Sequence, residues 1–276
     1  MTAPENRVES AYYAYMGYEA ANSAEGLRHY LPWFPEGPVL ELAPGRGEFL
    51  TLLRDAGVAA YGVDSDHGMV EAAVGAGLDV RLSDALDGLR AAADGSLRGV
   101  FSAHFVEHLP PDRVQEVVSE AARALGPGGH FVAATPNAAC QSVMGHDFWR
   151  DPTHVRFYDP RLLAFFCATA GLEVVEYGGN PRNAPGAPPE TLPSATRVDP
   201  DVRDQLALTL QHITDPKAKG TADPDSPWYG MGHHVAVLME RLTRTQEDLA
   251  ALRRSYAHLL DRLYPSNEVY VVARRV

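Results

Sequence analysis

Cysteine is scarce: the chain of 276 residues has two, Cys140 and Cys167. A disulfide framework is excluded, and neither thiol stands in a His/Cys cluster with zinc-finger spacing. Long apolar runs are missing as well. No stretch approaches the roughly 20 residues of a membrane span, and the opening MTAPENRVES has neither the basic nor the apolar region of a secretion signal. A reducing cytoplasm is the expected setting. Basic residues are few, 24 Lys and Arg against 36 Asp and Glu, and they form no run. At a net charge of −12 such a surface repels nucleic acid. No internal repeat is evident.

What remains is an ordinary globular composition, 45% hydrophobic and 22% charged. Short apolar segments alternate with helical patterns: VLELA (39–43), AYGVD (60–64), DVRLS (79–83), GVFSA (99–103), HFVAAT (130–135) and LEVVEY (172–177). Alternation of this kind predicts right-handed βαβ crossovers and a parallel sheet covered on both faces. LGPGG (125–129) reads as the turn between a helix and the fifth strand. Residues 178–200 are too rich in Pro and Gly for regular structure and read as a mobile loop, with a short helix over 201–213. EVYVVARRV (268–276) is strand-like and can re-enter the sheet.

Between 233 and 264, Val235, Leu238, Leu242, Thr245, Leu249, Leu252, Tyr256, Leu259 and Leu263 fall at alternating steps of three and four. This heptad stripe belongs either to a long helix packed on its own domain or to a pair of helices in a homodimer. The domain plan is an N-terminal helical segment (1–34), a core (35–177), an insert (178–232), a long helix (233–267) and a last strand (268–276).

Residues 39–50, VLELAPGRGEFL, carry the strongest signal. A buried strand ends in glycines that expose backbone, where open α/β sheets bind ligands. The spacing Glu41-x-Ala43-x-Gly45-x-Gly47 resembles the first motif of class I S-adenosylmethionine-dependent methyltransferases, with Ala43 where Gly is usual. Asp64 in YGVDSD, Asp84 in LSDAL, the segment GVFSAHFVEHLP and the segment LGPGGHFVAATPN extend the likeness over about residues 35–177. The resemblance implies a seven-stranded Rossmann-like sheet with S-adenosylmethionine as cofactor. It implies that Gly45 and Gly47 leave room for the methionine part above Glu41. Asp64 would take the ribose hydroxyls and Asp84 the adenine amino group. Ser65, Ala85, Ser102 and His104 are further cofactor-side positions, and 12–20 (YYAYMGYEA) reads as a lid or as core packing.

Two segments bear on the acceptor. His104, Glu107 and His108 in HFVEH can share one helical face. Ubiquinone-biosynthesis-type O-methyltransferases have a similar Glu-x-x-Glu-His segment connected with a divalent metal. A set with two His fits magnesium poorly, and the segment also reads as the plain turn after the fourth strand. HDFWRDPTHVRFYDP (146–160) resembles the Asp-Pro-x-His-x-Arg-x-Tyr segments of methyltransferases associated with polysaccharide and O-antigen synthesis. His154 is the candidate base, since imidazole accepts a proton near neutrality. Arg156 would clamp an anionic group, and Tyr158, Phe148 and Trp149 would offer flat faces. These residues, with Asp151, also read as a loop network. PWYGMGHH (227–234) adds His233 and His234 as lesser candidates. The expectation is O-methylation of a sugar hydroxyl on a glycan or glycosylated metabolite. A phenolic or quinone-type small molecule is the alternative acceptor, and a non-catalytic scaffold is a third reading.

Overall fold

A computed structural model describes residues 6–17, 20–183, 227–263 and 265–276. The chain divides into two compact units, Met1–Pro185 with Leu263–Val276, and Gly186–Arg262. Within the first unit the strands are β1 (Val39–Leu42), β2 (Ala60–Asp64), β3 (Val80–Leu82), β4 (Leu97–Ala103), β5 (Leu125–Pro136), β6 (Leu172–Gly179) and β7 (Glu268–Arg275). Its helices are α1 (Val8–Met16), α2 (Ala20–Leu27), α3 (Glu48–Asp55), α4 (His67–Gly75), α5 (Ala85–Ala91), α6 (Pro111–Ala124) and α7 (Pro160–Thr169). The strands make one sheet in the order β3-β2-β1-β4-β5-β7-β6. The first five strands run parallel, and β7 is antiparallel to both of its neighbours. The expected seven-stranded Rossmann-like sheet is present. Its strand order reverses between β1 and β4, and that is where such sheets open a ligand crevice.

Strand period explains the two faces. Along β5, Phe131 and Ala133 join the core with Leu40, Leu42, Val100 and α6, whereas Val132 and Ala134 join the other with Val39, Phe101 and Phe34. β7 alternates in the same way, Val271 and Ala273 against Tyr270 and Val272. β1 is buried at every position, as a central parallel strand must be.

Two boundaries differ from the sequence pattern. The LGPGG turn is drawn into β5, whose Leu125 pairs with Leu97 before an irregularity shifts the register to Gly99–His130. Glycine suits this because Gly126 lies against the Gly95 carbonyl, where a Cβ would come within 2.7 Å. In the second unit α8 (Pro227–Leu263) begins six residues earlier than the heptad stripe suggested. Of that stripe, Leu242, Leu249, Leu252 and Leu259 are exposed, while the side chains of Val235, Leu238 and Leu263 lie outside the described residues. The loop expected at 178–200 is described only as far as 183, and the helix expected at 201–213 lies outside the described residues. No described helix is long and apolar enough to cross a membrane.

Asp66 joins the N-terminal segment to the sheet. It is buried, and it accepts from Gly68 N and Met69 N of α4 at 2.9 and 3.0 Å and from Glu9 N and Ser10 N of α1 at 3.0 and 3.3 Å. One carboxylate therefore caps two helices. Burial raises its pKa, but the hydrogen bonds from Ser10, Met69 and Glu9 outweigh that and hold it below the usual value. Asp66→Ala is expected to cost about 1–3 kcal/mol in urea unfolding, because four amides lose their acceptor. Amide exchange of α1 should rise more than that of α6.

Candidate active site

A cavity of about 490 Å³ opens at the carboxyl ends of β1 and β4. One wall is the turn after β1. Ala43, Gly45 and Gly47 all have left-handed backbone there, with φ of 51°, 56° and 84°. This accounts for Gly being usual at position 43, since a Cβ in that region is strained. The two glycines differ. A Cβ on Gly45 would meet nothing within 4 Å and would point into open space. A Cβ on Gly47 would meet Leu78 Cδ1 at 2.2 Å. Gly47 starts α3 and serves packing, so of the pair only Gly45 presents bare backbone to the cavity.

Asp64, at the end of β2, holds this turn. Its Oδ2 accepts from Gly45 N at 3.1 Å and its Oδ1 from Asp66 N at 2.8 Å. Burial pushes its pKa up, only partly offset by those amides. A carboxylate keeps further acceptor capacity after two such bonds. Glu41 is buried below the turn and lines the cavity, and its Oε2 has no hydrogen-bond partner. Burial first, then the Glu48 and Asp64 charges, raise its pKa well above normal. Asp84 is exposed and caps α5 through Leu86 N, with Ser65 exposed and Ala85 and Ser102 buried. None of these four lines the cavity.

The opposite wall joins two segments that are remote in the sequence. His104 leaves β4 with φ 54°. Its Nε2 lies 2.8 Å from Glu268 Oε2 and its Nδ1 3.5 Å from Glu107 Oε1. Burial lowers its pKa, but the two carboxylates together outweigh that and lift it to about 10, so His104 is cationic. The half of its side chain left accessible faces the cavity rather than bulk water. His104 is thus engaged by Glu268 and Glu107 in an ion pair. Glu107, His108 and His154 bring one ligand atom each within 4.8 Å of one another. The His108 and His154 rings meet edge to face at 4.7 Å.

The loop after β5 supplies His154, with Asp147, Arg150 and Asp151, but not Arg156 or Tyr158. Tyr158 is buried and donates to the Leu109 carbonyl at 2.7 Å. The Arg156 guanidinium lies over the Tyr158 ring and donates to the Phe157 carbonyl. Neither residue lines the cavity, nor does the exposed Trp149. Phe148 does line it, stacked on Phe157 at 3.7 Å and tilted against His154 at 4.4 Å. Sequence reasoning missed Glu9, Glu48 and Glu268. Only Glu268 carried a signal, as an acid entering an otherwise apolar strand.

From α1, Glu9, Tyr12 and Tyr13 close one side of the cavity. Burial, followed by the charges of Asp64, Asp66, Asp151 and Glu107, raises the Glu9 pKa from 4.5 to about 7. An acid whose folded pKa exceeds its unfolded one holds more protons when folded. The stabilisation from docked Glu9 is therefore complete below about 4.5, falls as pH rises toward 7 and is level above it. Amide exchange in α1, corrected for intrinsic rates, should speed up between about pH 4.5 and pH 7, and Glu9→Gln should flatten that rise.

The sequence matches the methyltransferase-domain family model over residues 15–177. No curated protein matches it. Among solved structures it is similar to a SAM-dependent methyltransferase from Archaeoglobus fulgidus, with 23% identity, 97% of this chain and 99% of that one covered, and a TM-score of 0.65. It is also similar to the putative methyltransferase bound to the Trm112 activator of Haloferax volcanii, at 18% identity, coverage of 97% and 95%, and a TM-score of 0.59. A third is the geranyl diphosphate C-methyltransferase of Streptomyces coelicolor A3(2), at 14%, 93% and 80%, and 0.50. These structures share the fold. With more than half of the chain matched by the family model, the protein belongs to the S-adenosylmethionine-dependent methyltransferases.

Proposed function

We propose that the cavity between the Gly45 turn and the His108–His154 pair holds S-adenosylmethionine beside a hydroxyl-bearing acceptor, and that the reaction is O-methylation of a sugar. One observation carries this reading: a bare-backbone turn over a buried carboxylate faces two imidazoles across one cavity. Glu41 has an unpartnered oxygen for the amino group of the methionine tail. Asp64 retains acceptor capacity for a ribose diol.

Methyl transfer is an in-line displacement, so the chain has to align the acceptor oxygen and take its proton. His154 donates from Nδ1 to the Phe148 carbonyl at 2.6 Å, which leaves Nε2 as the acceptor. Phe148, buried between Phe157 and His154, forms an apolar wall beside it, which suits a sugar ring and equally a phenolic one. The phenolic acceptor is therefore the second reading. Pairing of α8 between two copies is a further proposal, supported by the exposed leucines of its stripe.

Gly45→Val should lower cofactor affinity at least about tenfold, because the side chain enters open cavity space from a left-handed backbone. Asp64→Ala should cost about 1–3 kcal/mol of binding. Calorimetry on the folded variants checks both, and unchanged affinity in the two would reject this cofactor position. His154→Ala should reduce turnover by about 10²–10⁴ with cofactor affinity retained. Tyr158→Phe should leave turnover within a few-fold, since its hydroxyl serves the Leu109 carbonyl. A labelled-methyl assay against sugar nucleotides, glycans and phenols decides between the acceptors.

A further inference from the structure

We propose that Glu107, His108 and His154 form a binding site for a divalent transition-metal cation. The proposal stands on the cluster's own geometry and rests on the methyl-transfer reading only for what the ion would do.

Hydrogen bonds settle the tautomers of the two imidazoles. Thr153 Oγ1 donates to Asp151 Oδ1 at 2.5 Å, so it has no proton left for His108 Nδ1, which lies 2.8 Å away. His108 must donate from Nδ1 to that hydroxyl, and its Nε2 carries the lone pair. His154 Nδ1 faces a carbonyl, which only accepts, so its lone pair is on Nε2 too. Each ring is therefore held by an outer acceptor on one nitrogen with the other left bare. This is the arrangement by which proteins orient metal-ligating histidines.

The third ligand, Glu107, is fully buried; Thr135 Oγ1 donates to its Oε2 at 3.0 Å, and its Oε1 lies 3.5 Å from His104 Nδ1. A cation with metal–nitrogen bonds of about 2.1 Å spans at most about 4.2 Å between opposite ligands. In a tetrahedral site such ligands stand about 3.4 Å apart, so atoms within 4.8 Å of one another draw in by up to about 1.4 Å. Asp151 Oδ2, at 4.0 Å from His154 Nε2, stands nearby as a further oxygen. Two imidazoles and a carboxylate select zinc, cobalt, nickel or iron over magnesium, which prefers oxygen. The set differs from the sequence-adjacent His104, Glu107 and His108, because His104 is engaged by Glu268. An acceptor hydroxyl on such an ion would lose its proton to solvent more readily, so ion and imidazole are alternative means of activating one oxygen.

Cobalt(II) titrated into the full chain tests this, since its visible bands report nitrogen and oxygen ligation of low coordination number. The expected result is one equivalent bound, with affinity lowered at least about 100-fold in His108→Ala and His154→Ala and about tenfold in Thr153→Val. Circular dichroism confirms folding. Thr153→Val keeps all three ligands and decides the matter if the histidine variants unfold. The proposal is overturned if folded wild type binds no cobalt, if these variants bind it unchanged, or if binding is lost instead on replacing His233 and His234. Cofactor titration is run alongside. Cofactor bound without cobalt rejects the ion alone, and cobalt bound without cofactor rejects the methyl-transfer reading alone.

Discussion

Two carboxylates, Glu107 and Glu268, are buried at the carboxyl edge of the sheet, and one imidazolium stands between them. Buried acids of like charge cannot both stay ionised unless a cation compensates them. His104 supplies that charge from the end of β4, in a left-handed backbone that a non-glycine residue adopts only under constraint. Glu268 opens β7, and around it Tyr30 donates its hydroxyl while Asn180 donates from Nδ2 at 2.7 Å. Glu107 follows β4 and ties to Thr135 of β5. The bridge thus links β4, β5, β7 and the residues before β1. Without it, the central strand ends would carry uncompensated charge where the cavity begins.

That arrangement also divides the work among the histidines. His104 is consumed by the two carboxylates and acts as a fixed positive charge. His108 and His154 are held by outer acceptors and present lone pairs. The same local segment, HFVEH, therefore yields one ring held between carboxylates and one with a bare nitrogen, decided by what each ring faces. The Gly45 turn on the far wall is oriented by Asp64, whose carboxylate accepts from Gly45 N and Asp66 N.

Much of this was legible in the sequence. Alternating apolar segments and the glycine turn contained the sheet, because buried parallel strands leave continuous apolar runs and left-handed turns demand Gly. Strand ends place Glu41 and Gly45 on the cavity and Asp64 behind the turn, where it holds Gly45 N. Gly47 was misread as ligand-facing, since spacing cannot distinguish a glycine that faces open space from one pressed on Leu78. Tyr158 and Arg156 were misread for a related reason. Alternation of polar and aromatic residues along a loop does not say which way its backbone turns, and here the Leu109 carbonyl and the tyrosine ring take those side chains. The capping of α1 by Asp66 had no sequence signal, because the partners are 56 and 57 residues apart.

The convergence of His108 and His154 follows from topology. β4 and β5 are parallel neighbours in register from Gly99–His130 to Ala103–Ala134, so their chains leave the sheet side by side at the same edge. The segment after β4 runs through Glu107, whose carbonyl then receives Val155 N at 2.8 Å and Arg156 N at 3.2 Å from the loop after β5. Those backbone bonds pin the later loop onto the earlier turn and set His154 against His108. Two motifs that look like separate candidates along the chain meet in this fold at one cavity, and strand order brings them together.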